Sequence, residues 1–138
     1  MYRHSLLLGF LAVCLSGGCS RDIRYQSPPP ATPESIFDVK DAWVSLYEEE
    51  GFRGRVVTIK YPKDAPDLGA ERTDDGKLGF NDQARSVRWQ IPNGWQFILY
   101  DERNARGKHL DLIGTGKVES NYGPLTGDAS SGRWERKS

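Results

Sequence analysis

Two segments of this chain share one pattern. Tyr47 to Gly54 reads YEEEGFRG, and Tyr100 to Gly107 reads YDERNARG. Each follows a short run of alternating apolar residues and precedes another. A pattern that recurs together with its flanks is the mark of a duplicated β unit. The flanks also align by residue type. Val44 and Leu46 match Phe97 and Leu99, Val57 and Ile59 match Leu110 and Leu112, and Arg88-Trp89 matches Arg133-Trp134. Neither repeat can bury its own apolar face alone. Two sheets packed face to face bury both.

Period-two alternation runs through the whole region. It covers Val44/Leu46, Val57/Ile59, Val87/Trp89/Ile91, Trp95/Phe97/Leu99 and Leu110/Leu112. Runs of this length, broken by Gly, Pro, Asn and Asp, predict an all-β antiparallel sandwich. Helical periodicity is nearly absent. Pro92-Asn93-Gly94 separates the repeats, and Asp74-Asp75-Gly76 reads as a tight turn. Trp89 and Trp95 lie on the apolar phase and are expected in the core. Trp43 lies off that phase. It is expected either to be exposed as an anchor for a partner or glycan, or to pack against Phe37 and the entering chain.

The N-terminus predicts an export address. Residues 1–18 carry Arg3, an apolar stretch from Leu6 to Leu15 and the small residues Ser16, Gly17 and Gly18. This is the layout of a signal peptide, and the apolar stretch is short for a membrane span. Leu15-Ser-Gly-Gly-Cys19 resembles a bacterial lipobox, which implies lipidation of Cys19. Ser16 departs from the usual leucine, so ordinary signal peptidase cleavage before Cys19 stays open. Ser20 after the cysteine implies outer-membrane sorting, with the domain facing the periplasm or the surface. The alternative is a soluble periplasmic or secreted protein. Residues 19–35 hold four prolines, Pro28, Pro29, Pro30 and Pro33, and read as an extended tether. Residues 36–138 are one domain's worth of chain.

No cysteine follows Cys19, so the domain has no internal disulfide and relies on its apolar core. The chain has 19 basic and 19 acidic residues, interleaved rather than clustered, which gives no nucleic-acid footprint. His109, beside Asp111, is the one histidine outside the signal segment. No nucleophile elbow, HExxH, P-loop or dinucleotide fingerprint is present, so an enzyme is not expected.

These residues resemble a βγ-crystallin domain, in which two Greek keys form one sandwich. The family signature is an aromatic, four residues, an aromatic, any residue, then glycine. Tyr47, Phe52 and Gly54 satisfy it. Tyr100 and Gly107 satisfy it in the second repeat, where Ala105 replaces the inner aromatic, so that hairpin is expected to pack less well. The resemblance covers about Asp41 to Glu135.

Microbial members of this family often bind two calcium ions, in loops patterned Asn/Asp, Asn/Asp, two variable residues, Ser/Thr, Ser. Asn81-Asp82-Gln83-Ala84-Arg85-Ser86 departs at Arg85. Thr126-Gly127-Asp128-Ala129-Ser130-Ser131 lacks the leading pair. Calcium takes six to eight oxygen ligands. Arg85 removes a hydroxyl and adds a positive charge where a dication belongs. It is expected either to weaken the first loop or to pair with Asp82 in place of the ion. The resemblance therefore implies at most one weak, composite site, from Asn81, Asp82, Ser86, Asp128, Ser130 and Ser131. Glu48-Glu49-Glu50 reads as a solvated hairpin tip.

The expected function is a non-enzymatic, envelope-anchored binding or structural module. Two alternatives remain at this stage. One is a protease inhibitor presenting the connection from Tyr61 to Gly79, since connections longer than about 12–15 residues often carry function. The other is an adhesion or assembly protein with an envelope partner.

Overall fold

The computed structural model describes residues 36–121 and 128–138. The signal segment, Cys19 and the tether lie outside the described residues, as do Thr126 and Gly127 of the second loop. Seven strands form: β1 (Trp43–Glu49), β2 (Arg53–Lys60), β3 (Ser86–Gln90), β4 (Trp95–Glu102), β5 (Arg106–Ile113), β6 (Val118–Asn121) and β7 (Ser131–Arg136). They make a four-stranded sheet A, ordered β2-β1-β3-β6, and a three-stranded sheet B, ordered β5-β4-β7. All the named pairings are antiparallel.

The repeat of the sequence is a repeat of the hydrogen bonds. β1 pairs with β2 from Trp43↔Lys60 to Tyr47↔Val56, and the register then shifts before Glu49. β4 pairs with β5 from Gln96↔Ile113 to Tyr100↔His109, and the register shifts before Glu102. In both places the hairpin folds back through left-handed residues, Gly51, Phe52 and Gly54 in one and Asn104, Ala105 and Gly107 in the other. Gly54 and Gly107 have φ of 78° and 85°, a conformation that a Cβ opposes.

A buried serine clamps each folded hairpin. Ser86 Oγ donates to the Glu49 carbonyl at 2.6 Å and accepts from the Phe52 amide at 3.0 Å. Ser131 Oγ donates to the Glu102 carbonyl and accepts from the Ala105 amide at 3.0 Å. Arg85 N–H donates to the Tyr47 carbonyl at 2.8 Å, and Ser130 N–H donates to the Tyr100 carbonyl at 2.8 Å. These equivalences define a pseudo-twofold relation between the repeats.

The core lies between the sheets. Val44, Leu46, Val57, Ile59 and Val87 meet Phe97, Leu99, Leu112 and Trp134. Full burial of each Val, Leu, Ile or Phe contributes about 1.5–3 kcal/mol. Trp89 and Trp95 do not sit in this core as their phase predicts. Both are half-buried and pack against its rim, and Trp89 Nε1 donates to the Ile113 carbonyl at 3.0 Å. An indole N–H needs a polar partner, and the rim supplies one. Leu110 is also misplaced by phase alone, at 37% exposed. Strand β5 is an edge, so even its inward side chains border solvent on one side.

The connection between β2 and β3 departs most from expectation. Ala65 crosses to sheet B and exchanges two backbone bonds with Gly132, at 2.9 and 2.8 Å. Leu68 and Phe80 are fully buried, and Leu68 N–H donates to the Ser130 carbonyl at 2.9 Å. Most of this segment therefore ties the two sheets together. Its longest exposed run is Asp74–Gly79, a turn closed by Thr73 N–H to Lys77 O at 2.9 Å.

The two hairpins differ where the signature differs. Tyr47 and Phe52 meet edge to face at 5.6 Å, and the Arg88 guanidinium lies 4.1 Å over the Phe52 ring. Ala105 offers no ring, and the Arg133 guanidinium lies 5.9 Å from the Tyr100 ring centre. Ala105→Phe should therefore stabilise the domain by about 0.5–1.5 kcal/mol, the usual value of such an aromatic pair. Urea unfolding reads the change. A loss of stability would mean the second hairpin has no space for the ring.

Candidate functional site

The two loops singled out by sequence meet each other. Asp82 sits at φ 56°, and its N–H donates to the Ala129 carbonyl at 3.0 Å. That bond turns its carboxylate toward the second loop. Ser130 Oγ donates to Asp82 Oδ1 at 3.0 Å, and Asn81 Nδ2 donates to Asp82 Oδ2 at 2.8 Å. The other half of that amide, Asn81 Oδ1, is buried and has no hydrogen-bond partner among the described residues. Asp128 is exposed, and its carbonyl lies 3.5 Å from Ser130 Oγ. The acid of one repeat and the hydroxyl of the other thus form one composite cluster across the pseudo-twofold.

Ser86 and Ser131 do not join it. Their hydroxyls are fully buried and committed to the hairpin clamps. The final serine of each loop is a folding residue in this chain, and its orientation follows from the close approach of the hairpin.

Arg85 does not pair with Asp82, the second of its two expected roles. Among the described residues it pairs with no carboxylate. Its guanidinium donates to the Ala84 carbonyl at 3.3 Å, while both Asp82 oxygens are taken by Ser130 and Asn81. The pseudo-twofold explains why. Arg85 corresponds to Ser130, so it belongs to the symmetry-related position and not to the one that holds Asp82.

The oxygen set tests the fit of a cation. Among the described residues, no three His, Cys, Asp or Glu side chains gather to hold a metal. A cation at Asp82 relies on one carboxylate plus amide, hydroxyl and carbonyl oxygens. That chemistry suits a hard ion such as calcium and would leave water to complete the shell. The orphaned Asn81 oxygen is what such an ion would satisfy, because a buried unpaired acceptor is costly.

The other candidates resolve into structure. Glu48 is held by Arg55, Oε1 to Nη2 at 3.2 Å, and this bond lowers the Glu48 pKa and raises that of Arg55. Glu49 and Glu50 are exposed at the hairpin tip. The Asp75 pKa is lowered, chiefly by the Thr73 hydroxyl bonded to it. His109 Nε2 lies 3.7 Å from Asp111 Oδ1 on the surface of β5. Ser131, across β4 from it, is locked in its clamp and is no nucleophile. A cavity of about 130 Å³ opens beside the second loop, lined by Leu99, Asp101, Lys108, Leu110 and Asp128 among others. Sequence pattern missed the Ala129 and Ser130 carbonyls, because backbone acceptors carry no residue signature.

No family model and no curated protein matches this sequence. Solved structures do match. One, concerned with the evolution of the eye-lens βγ-crystallin domain fold, superposes with a TM-score of 0.51 at 17% identity, over 82% of this chain and 95% of that one. The domain has the βγ-crystallin fold. A βγ-crystallin domain from Flavobacterium johnsoniae is similar at 21% identity and a TM-score of 0.49, over 67% of this chain and 93% of that one. A βγ-crystallin from an archaeon is similar at 21% identity and a TM-score of 0.47, over 67% and 96%. Within this βγ-crystallin fold, the Asp82–Ser130 cluster joins the two Greek keys at one end of the sandwich.

Proposed function

We propose that this chain is an envelope-anchored, non-enzymatic βγ-crystallin-like module that holds one weakly bound calcium ion between its repeats. The observation that carries this reading is the buried, unpartnered Asn81 Oδ1 beside the Asp82–Ser130 pair. Asn81, Asp82 and Ser130 would hold the ion, with Asp128 adjacent. Bound calcium would supply a cross-link between the two loops. The related position carries Arg85 in place of a hydroxyl and takes none. The lipobox-like stretch ending at Cys19 and the proline tether support the anchored placement.

Thermal melting in EDTA and in millimolar calcium tests the site. A ligand that binds only the native state stabilises by RT ln(1 + [L]/Kd), about 2.7 kcal/mol at a hundredfold excess over Kd. The melting temperature should rise with calcium and not with magnesium, and Asp82→Asn and Ser130→Ala should each remove the rise. A wild-type protein that melts identically in both buffers refutes calcium binding.

One observation favours the inhibitor reading. The turn Asp74–Gly79 is exposed, with Leu78 at 54%, and its base is hydrogen-bonded to β2 through Asp74 N–H and the Val56 carbonyl at 2.9 Å. A rigid exposed turn of this kind can enter a protease cleft. Calcium-independent inhibition across a protease panel would select that reading over the calcium module.

A further inference from the structure

The pseudo-twofold relates the two outer faces of the sandwich, and their charges differ. On sheet B the register sets Ile113–Gln96–Glu135, Asp111–Ile98–Arg133 and His109–Tyr100–Ser131 in successive rows. Arg133 and His109 on that face each have a carboxylate nearby. Arg133 lies 2.8 Å from Glu135, and His109 lies 3.7 Å from Asp111.

On sheet A the rows are Lys60–Trp43–Gln90, Thr58–Ser45–Arg88 and Val56–Tyr47–Ser86. Their strand neighbours Val44, Leu46, Val57, Ile59 and Val87 are buried, so alternation turns these rows to the other face of the sheet, where Thr58, Lys60 and Arg88 are exposed, Trp43, Tyr47, Val56 and Gln90 are half-buried, and Ser45 and Ser86 are covered. The repeat alignment sets Thr58 where Asp111 stands, Gln90 where Glu135 stands, and Lys60 where Ile113 stands. Both acids are replaced by neutral hydrogen-bonding side chains, and a cation is added. Among the described residues, neither Lys60 nor Arg88 forms an ion pair. In a chain of zero net charge, this face is locally positive.

The face has further chemistry. Trp43 and Tyr47 are half-buried in it. Thr58 is exposed on it, and its hydroxyl pairs at 2.7 Å with that of the buried Ser45. Arg88 lies over the Phe52 ring and is exposed, and a guanidinium so placed is a good donor to an acid group. Strand β6 extends the surface with Ser120 beside Arg88 and Val118 beside Gln90, the latter 56% exposed. Asp74, bonded to the Val56 amide at 3.1 Å, bounds it at the β2 edge.

We propose that the outer face of sheet A binds an acidic polysaccharide, with a sugar ring on Trp43 and acid groups at Arg88 and Lys60. An added peptide strand would need unpaired main chain, which the face of a sheet does not offer. Insertion into an anionic bilayer needs a broad projecting apolar surface, whereas here Trp43 and Tyr47 are half-buried and Val118 is the one large apolar side chain of these rows and their β6 neighbours that is mostly exposed. Half-buried aromatics, the exposed Thr58, the Gln90 amide and two cations without an ion pair among the described residues suit a charged sugar chain.

Affinity electrophoresis of the full chain through gels containing polygalacturonate tests this, with Trp fluorescence titration alongside. Polygalacturonate should retard the protein, neutral dextran should not, and added salt should weaken the effect. K60Q and R88Q should each weaken binding roughly three- to fivefold, the scale of an exposed charge pair. W43A should cost roughly tenfold, as a central aromatic contact does. R133Q, the equivalent on sheet B, should bind as wild type. Should W43A fail to fold, the two exposed cations still decide the matter. Absence of retardation, unchanged binding in the K60Q/R88Q double variant, or equal affinity for polyglutamate or phosphatidylglycerol vesicles would overturn the proposal.

Discussion

Gly114→Ala is expected to destabilise the domain by about 3 kcal/mol, the upper end of ordinary overpacking. A Cβ there would stand 2.1 Å from the Pro92 carbonyl oxygen, 2.7 Å from the Trp95 carbonyl oxygen and 2.8 Å from Ile91 Cγ2. Two of these atoms are backbone and cannot rotate away. The Gly114 N–H also donates to the Trp95 carbonyl at 2.9 Å, which pins the two segments together. This contact closes the turn between the repeats, so the strain falls on the junction of the sandwich. Gly94→Ala is the comparison. A Cβ there meets nothing within 4 Å, but φ is 85°. Its cost should be about 1 kcal/mol, from backbone conformation alone. Urea unfolding followed by Trp fluorescence separates the two. A Gly114→Ala protein as stable as Gly94→Ala would show that the turn yields easily.

The second large effect lies at the clamps. Ser86→Ala and Ser131→Ala should each cost about 1–3 kcal/mol, because each leaves a part-buried carbonyl and amide without the shared, buried hydroxyl. Ser86→Ala should cost more, since the Phe52 amide it holds also positions the Tyr47–Phe52 ring pair and the Arg88 stack. Both variants should keep the calcium-dependent rise in melting temperature, shifted down as a whole. If Ser131→Ala abolished the rise while leaving metal-free stability intact, its hydroxyl would be a ligand and not a clamp. The measurement therefore separates folding serines from Ser130, whose loss should do the reverse.

The difference between these two serines shows where sequence reasoning reached its limit. Ser130 and Ser131 are adjacent and identical in type, and a loop pattern groups them together. In the fold, successive residues entering a strand point to opposite sides. Ser131 turns under the hairpin to Glu102, and Ser130 turns to Asp82 of the other repeat. The same limit applies to Arg85. Its charge was legible, but its separation from Asp82 depended on which repeat each loop faces.

The duplicated pattern, the alternation and the glycines at Gly54 and Gly107 were enough to reach a two-sheet β-sandwich of βγ-crystallin type. Those features are local: pleat periodicity and backbone sterics act over a few residues, so the sequence alone expresses them. Strand β6 and the Ala65–Gly132 bridge were not legible, because a short edge pairing is defined by its partner and not by its own composition. The tertiary structure alone decided that Asp82 meets Ser130, that the Tyr61–Gly79 connection is mostly a tie between the sheets, and that Lys60 and Arg88 of sheet A have no ion pair among the described residues. Each of these joins residues far apart in the chain. Only the closing of two repeats around one core brings them within hydrogen-bonding or Coulombic reach.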